Sequence, residues 1–198
     1  MIDIFYKVLD ESGKAFHGGS GIWSLPIGRK YGAWMPPIEG ELEPCVNGYH
    51  LCREMDLVKW LGPVIYVAEA GKERIVHENN KVVVREARLI RKTAWNERIA
   101  RLFAADCAEH VLEHIKERSI REAAEKAIQA SRAYASGEID DAALSAAESA
   151  ARSAARSAAE SAAWSAAGSA AESAWSAARS AEYKWQTRRL SQYLNGTL

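Results

Sequence analysis

The spacing of hydrophobic positions changes along the chain and divides the sequence into two parts. Residues 1–92 carry short apolar runs separated by Gly, Pro and Asn, which is typical of strands and turns. The clearest predicted strand covers residues 81–90. From residue 93 onward the apolar positions recur at helical spacing. We therefore predict an α+β protein, in which a head with a small mixed or antiparallel sheet (residues 1–92) precedes a helical part (residues 93–198).

The helical part opens with two predicted helices joined by a short turn. Thr93 is a suitable N-cap for a first helix from about residue 94 to 118, and Ser119 is one for a second helix over residues 120–135. Gly137 follows the second helix, at the position where a left-handed residue often ends one. These short connections predict antiparallel neighbours.

The rest of the chain repeats the tetrad Ser-Ala-Ala-x from Ser145 onward, with one shift of phase. Ala is the strongest helix former, and no proline interrupts the run. We therefore predict that the chain ends in a very long Ala/Ser-rich α-helix over residues 140–195. At 1.5 Å per residue this helix would be about 80 Å long.

Large side chains of the repeat gather in its distal half, between residues 160 and 190. Aromatic residues on a projecting helix are typical of a contact surface, and a glycine permits close backbone approach. We predict that this segment binds a partner or joins copies of the chain into a homo-oligomer. The alternative is that the helix packs only within its own chain. The predicted binding residues are Trp164, Gly168, Trp175, Tyr183 and Trp185.

Composition narrows the function classes. Lys and Arg together number 26, as do Asp and Glu, so the formal net charge is zero and no overall basic excess indicates nucleic acid. No run of about eighteen strongly apolar residues indicates a membrane span. The sequence Met1-Ile2-Asp3 does not begin a secretory signal, and three cysteines give no paired disulfide framework. We expect a cytoplasmic protein without a membrane partner.

Two groups of His and Cys have spacings that metal ligands can use. On the first predicted helix, Cys107, His110 and His114 stand at i, i+3 and i+7 and could offer zinc three ligands. The second group lies in the Gly-rich region and consists of Cys45, His50 and Cys52. Neither group has paired Cys-x-x-Cys spacing, and the two groups need not meet in space. The alternative for the first group is that Cys107 packs in the core while the histidines form hydrogen bonds at its margin. We therefore predict no metal and no cofactor.

A third group gives an enzymatic hypothesis. His17-Gly18-Gly19 follows a predicted strand, and Gly48-Tyr49 leads into another. These residues resemble ADP-ribosyltransferase folds, in which a His-Gly pair holds the nicotinamide ribose and a Gly-x-Tyr strand stacks on the nicotinamide. The resemblance implies catalysis by His17 and Tyr49 with a later Glu, for which Glu86 or Glu69 is a candidate. Here Tyr49 directly follows Gly48, one place earlier than that pattern.

Longer stretches carry a second resemblance. Residues 95–112 and 127–138 are similar to helical proteins identified as immunity proteins of bacterial toxin systems. The whole chain also resembles an uncharacterised family of bacteria and their phages, through the motifs His-Gly-Gly, Trp-Met-Pro, Gly-Tyr-His-x-Cys, Trp-Leu-Gly-Pro and Trp-Gln-Thr-x-Arg-Leu. In this chain these motifs are residues 17–19, 34–36, 48–52, 60–63 and 185–190. The resemblance implies protein binding without naming a partner.

The leading hypothesis is a non-enzymatic binding or inhibitory protein that oligomerises through its Ala-rich helix. It would be an immunity factor, or a phage-encoded inhibitor of host defence, that binds a toxin, a defence protein or a small nucleotide signal. The alternative is an ADP-ribosyltransferase-like, nucleotide-binding enzyme that uses His17, Tyr49 and Glu86. A third hypothesis makes the long helix a purely structural spacer. The enzymatic hypothesis requires His17 and Tyr49 to line one pocket within reach of a carboxylate.

Overall fold

The computed structural model has the predicted α+β class, with small antiparallel sheets and helices. It describes residues 4–77, 80–147, 149 and 171–197. The chain forms two compact units. The first contains Met1–Asn96 together with Lys184–Leu198, and the second contains Glu97–Tyr183.

The described strands all lie in the first unit and form two sheets. In chain order they are β1 (Phe5–Leu9), β2 (Tyr49–Leu51), β3 (Val64–Ala70), β4 (Arg74–His77), β5 (Lys81–Val84) and β6 (Ala87–Lys92). One sheet has the order β1-β3-β6 and the other β2-β5-β4, and every pairing is antiparallel. A short 3-10 helix, Glu54–Trp60, precedes β3 and ends before Gly62-Pro63.

Side chains from both sheets share one apolar core. The core joins residues of β1, β2, β3, β5 and β6 with Trp23 and Met35 from the long connection between β1 and β2. Burial of these apolar surfaces is the main favourable contribution to folding of this unit. The connection is therefore a folded part of the core, although it has little regular structure.

The predicted single strand over residues 81–90 is wrong. Its two halves are β5 and β6, and they belong to different sheets. The break falls at Arg85 and Glu86, whose carbonyl oxygens accept hydrogen bonds from the amides of Ile38 (3.0 Å) and Gly71 (2.7 Å). The chain bends there because two other segments of the unit bind its backbone.

The second unit contains helices α1 (Glu97–His110) and α2 (Arg118–Ser136). The prediction of a first helix over residues 94–118 is wrong at both ends. Helix α1 begins at Glu97 and ends at His110, and a separate 3-10 turn occupies Leu112–His114. The Arg121 guanidinium holds the connection by donating to the Ile115 carbonyl at 3.1 and 2.6 Å. Gly137 ends α2 with a φ of 80°, as predicted.

Thr93 is not a helix N-cap. It is buried, its hydroxyl donates to the Ile65 carbonyl at 2.8 Å, and it accepts the amide of Trp95 at 3.3 Å. The Trp95 indole N–H donates to the Gly62 carbonyl at 2.8 Å. These contacts fasten the chain beside β3, and helix α1 begins only at Glu97.

A charged cluster joins the two helices of the second unit. Arg132 of α2 donates to Asp106 at 2.9 Å and to Glu109 at 2.7 and 2.8 Å, both on α1. Asp106 is buried, so the guanidinium supplies the partner that a buried carboxylate requires.

The predicted Ala/Ser-rich helix is described only at its two ends. Residues 141–147 are helical, as is Ala171–Asn195, a 25-residue helix that we call the C-terminal helix. Residues 150–170 lie outside the described residues, so one unbroken helix over residues 140–195 is not seen. None of the described helices is long and apolar enough to cross a membrane.

The end of the C-terminal helix belongs to the first unit, which the sequence did not predict. Leu190, Tyr193 and Leu194 are all buried there, and the amide of Ala94 donates to the Leu194 carbonyl at 3.4 Å. The first unit is thus assembled from the two ends of the described chain.

Truncation of Leu190 tests this assembly. The side chain is fully buried, so Leu190→Ala leaves a cavity and should lower the free energy of unfolding by about 2–5 kcal/mol. Urea unfolding followed by tryptophan fluorescence measures the change. Arg188→Ala, on an exposed position of the same helix, is the control and should have little effect. Equal stability of the two variants would show that the helix end does not contribute to the core.

Candidate ligand-binding cavity

The first unit contains a cavity of about 540 Å³, a size typical of small-molecule sites. Strand β1, strand β2 and the Gly-rich loop at residues 17–21 contribute to its walls. Among its described lining residues none is Asp or Glu. Polar and aromatic residues of the lining include Lys7, His17, Trp23, Cys45, Tyr49, His50, Cys52, Trp60 and Lys81.

Lys7 occupies a core-facing position of β1. Alternate residues of a strand share a face, so Lys7 lies on the same side as Phe5 and Leu9, which both belong to the apolar core. Sequence reasoning identified the strand from its apolar residues and missed this lysine. The available sequence signal was the position of Lys7, two residues after Phe5 and two before Leu9, both of which face the core.

The ammonium of Lys7 has few polar partners. It donates to the His50 carbonyl oxygen at 3.0 Å and lies 5.1 Å from the centre of the Trp23 ring. Burial lowers the pKa of Lys7 to about 8, because the charged form loses its hydration there. A buried ammonium beside a cavity marks a candidate binding group.

Lys81 is the second cation of the cavity. Its ammonium lies 3.1 Å from the Cys45 sulfur and 5.3 Å from the centre of the Trp60 ring. Cys45 has a φ of 67°, an uncommon conformation for a residue with a side chain, and its amide donates to Nε2 of His50 at 2.9 Å. Because Nε2 accepts that bond, the neutral ring carries its proton on Nδ1.

His17 and Tyr49 line the same cavity, although each side chain is already engaged. The His17 Nε2 donates to the carbonyl oxygens of Trp60 at 2.8 Å and Leu61 at 3.1 Å. The Tyr49 hydroxyl donates to the Pro36 carbonyl at 2.8 Å, and burial raises the pKa of Tyr49. The ring of Tyr49 packs edge to face with Trp23 at 5.5 Å.

Gly48 is required at the entry to β2. It has a φ of 143°, and a Cβ at this position would lie 2.3 Å from Cγ1 of Val83. Only glycine lets β2 approach β5 closely enough for Tyr49 to line the cavity wall.

The third residue of the enzymatic hypothesis lies elsewhere. Glu86 does not line the cavity and sits opposite Gly71, at the bend between β5 and β6. Glu69 is bound to Arg88 at 2.7 Å. The structure therefore brings His17 and Tyr49 together but adds neither candidate glutamate to them.

The cysteine and histidine groups do not form a metal site in the described part of the chain, where no set of three or more His, Cys, Asp or Glu is placed to hold an ion. Helix α1 ends at His110, so His114 does not continue the helical face of Cys107. His110 Nδ1 lies 2.7 Å from the Glu182 carboxylate. Burial raises the pKa of the Cys52 thiol to about 12, so this group is a poor metal ligand.

The predicted binding residues of the Ala-rich repeat are only partly described. Trp164 and Gly168 lie outside the described residues, as does the side chain of Trp175. Tyr183 and Trp185 are half-buried on the C-terminal helix. Binding or self-association through residues 160–190 stays a prediction.

Comparisons with protein-family models, with curated proteins and with solved structures give no match to this chain.

The pH dependence of stability tests the environment of Lys7. Its pKa falls from 10.5 to about 8 on folding. Between these pH values Lys7 carries a proton in the unfolded chain but not in the folded protein, so the free energy of unfolding rises with pH. The stability that comes from a neutral Lys7 is fully present above pH 10.5 and is lost as the pH falls through 8. The full effect is about 3 kcal/mol.

Replacing the lysine should remove this dependence. The stability of Lys7→Met relative to the wild type should be about 2 kcal/mol more favourable at pH 7 than at pH 10. Urea unfolding at the two pH values measures the difference, and any pH-independent effect of the substitution cancels. Lys72→Met, at an exposed position, should show no such change. Parallel pH profiles for wild type and Lys7→Met would contradict a buried ammonium.

Proposed function

We propose that the protein is a non-enzymatic binding protein whose cavity holds a small, flat, phosphorylated molecule of the nucleotide class. The observation that carries this proposal is Lys7, an ammonium on a core-facing strand position, in a cavity with no carboxylate among its described lining residues. A buried cation without an opposite charge destabilises the fold. A phosphate group supplies that opposite charge when the ligand binds.

Other groups in the cavity support an anionic ligand. Lys81 adds a second ammonium to the wall. Gly18, Gly19 and Ser20 also line the cavity, and their backbone amides donate no hydrogen bond to a described residue. Backbone amides of such loops bind anions. The cavity therefore offers donors of two kinds to a phosphate.

Aromatic side chains support a flat ring on the same ligand. Trp23, Tyr49 and Trp60 contribute to the wall, and bases stack on aromatic side chains of this type. Trp60 is held in place because its indole N–H donates to the Asn80 carbonyl at 3.1 Å. Cations and aromatic rings together favour a nucleotide over a simple phosphate or an uncharged aromatic compound.

Binding without turnover agrees with the family resemblance. The described lining has no carboxylate, and its two histidines are already engaged, because His17 donates to two backbone carbonyls and the His50 ring accepts a backbone amide. An immunity or counter-defence protein can act by lowering the concentration of a nucleotide signal. Residues 160–190 would then bind a toxin or defence protein, or join copies of the chain, independently of the cavity.

Calorimetric titration of the full chain with nucleosides and nucleotides tests this function. The panel contains adenosine and guanosine, their mono-, di- and triphosphates, and cyclic nucleotides. At least one nucleotide should bind, and its parent nucleoside should bind far more weakly because it lacks the phosphate. Lys7→Met and Lys81→Ala should each weaken binding about tenfold or more.

Lys72→Ala, which removes an exposed lysine outside the cavity, is the matched control and should bind as the wild type does. Affinity should fall as the pH rises above 8, because Lys7 then loses its charge. The proposal fails if no nucleotide binds or raises the melting temperature. It also fails if nucleoside and nucleotide bind equally.

A second candidate function is the ADP-ribosyltransferase-like enzyme, favoured by the presence of His17 and Tyr49 in one cavity. This function predicts that the protein converts NAD to nicotinamide and an ADP-ribosyl product. Chromatography of NAD after incubation with the full chain measures it. Loss of product in both His17→Ala and Tyr49→Ala would support this candidate. NAD that binds but stays intact would favour the non-enzymatic proposal.

A further inference from the structure

A second surface of the first unit combines basic and apolar side chains. It surrounds a groove of about 560 Å³ that shares no lining residue with the cavity described above. We call it the basic–aromatic surface and define it by Ile27, Arg29, Lys30, Tyr31, Trp34 and Arg88.

The tip of this surface is a tight turn. The amides and carbonyls of Ile27 and Lys30 exchange two hydrogen bonds of 3.0 Å, and Gly28 provides the left-handed residue between them. Ile27 is 80% exposed at this tip. Ile27 shares the groove lining with the exposed Tyr31 and Trp34, and a group of exposed apolar side chains, unlike a single one, marks an interaction surface.

The rest of the segment is fastened to the edge of a sheet. The amides of Gly32 and Met35 donate to the carbonyls of Leu89 (2.9 Å) and Ala87 (2.8 Å) on β6. At Gly32 a Cβ would lie 2.1 Å from the Ser24 carbonyl oxygen, so the backbone packs too closely for any other residue. These contacts cover the edge strand β6 and fasten residues 32–35 to it.

Arg88 orders the aromatic part. Its guanidinium lies 5.0 Å from the centre of the Tyr31 ring and 4.7 Å from that of Trp34. Glu69 pairs with the same guanidinium at 2.7 Å. The charge of Arg88 is therefore balanced, and part of each ring is already in contact with a cation.

The remaining charges are Arg29 and Lys30. Both are exposed, and neither has an ion-pair partner among the described residues. The described lining of the groove contains no Asp or Glu. The surface thus has an excess positive charge next to exposed apolar groups, which is complementary to an acidic partner.

We infer that the basic–aromatic surface docks an acidic segment of a partner protein that also carries aliphatic side chains. The carboxylates would pair with Arg29 and Lys30, and the aliphatic groups would pack on Ile27 and the exposed edge of Trp34. A protein fits better than a nucleic acid for two reasons. The tip is aliphatic, and Arg88 occupies ring surface on which bases would stack.

Fluorescence anisotropy with the full chain tests this inference. The probe is a labelled peptide in which Asp alternates with Leu, and the comparison probes alternate Asp with Ser and Lys with Leu. The Asp–Leu peptide should bind, and both comparison peptides should bind at least about tenfold more weakly, since one lacks apolar groups and the other has the wrong charge. A single-stranded oligonucleotide of equal charge is the fourth probe.

Charge reversal identifies the site. Arg29→Glu combined with Lys30→Glu should weaken binding of the Asp–Leu peptide at least about tenfold, and Ile27→Ser should weaken it several-fold. Lys14→Glu combined with Lys72→Glu makes the same change of net charge at exposed positions outside the groove and should leave binding unchanged. Lys81→Ala should also have no effect, which separates this surface from the nucleotide cavity.

Three results would overturn the inference. The first is the absence of binding by the Asp–Leu peptide. The second is an equal loss of binding in the two charge-reversed double variants, which would show a general charge effect. The third is tighter binding of the oligonucleotide than of the peptide, with loss on reversal of Arg29 and Lys30, which would make the surface a nucleic-acid site. Unchanged melting temperatures confirm that the variants fold.

Discussion

The chain changes from one sheet to the other at Arg85 and Glu86, and the arrangement of the first unit depends on the hydrogen bonds that hold this bend. Ile38 and Gly71 bind the two backbone carbonyls, and the Arg85 guanidinium reaches both the Glu73 carboxylate and the Ile38 carbonyl. The bend lets β5 pair with β2 while β6 pairs with β3. Lys81 and Tyr49 thereby come from one sheet and Lys7 from the other, and all three line one cavity.

His50 connects the two cations of that cavity. Its backbone carbonyl accepts a hydrogen bond from Lys7, and its ring accepts one from the backbone amide of Cys45. The sulfur of Cys45 in turn contacts the ammonium of Lys81. Hydrogen bonds, and no salt bridge among the described residues, therefore position Lys7 and Lys81. With no described carboxylate in the cavity lining, no opposite charge there offsets the desolvation of Lys7.

Local sequence patterns predicted those parts of the fold that local interactions decide. The start of a strand after Gly48 and the end of α2 at Gly137 follow from the two glycines. The break at Arg85 was missed because the alternation of side chains continues through it, and distant backbone groups cause the bend. The early end of α1 was missed for a similar reason, since Arg121 of the next helix fixes the connection.

The candidate site was predicted in part. The alternative, enzymatic hypothesis placed His17 and Tyr49 in one pocket because of the resemblance to ADP-ribosyltransferase folds, and both residues line the cavity. Lys7 and Lys81 were not identified, since a single lysine within a strand resembles a solvent-exposed residue until its face is known. The packing of Leu190 and Leu194 into the first unit has no local signal at all.

The first unit is built from both ends of the described chain, and this affects how it folds during translation. A ribosome makes Met1–Asn96 early, and Leu190, Tyr193 and Leu194 emerge only after the whole second unit has been made. Until then the surface that these side chains cover is exposed, and exposed apolar surface on a nascent chain attracts chaperones and other chains. The first unit therefore completes its apolar packing only after translation has passed Leu194, and a chain that terminates earlier keeps this apolar surface exposed.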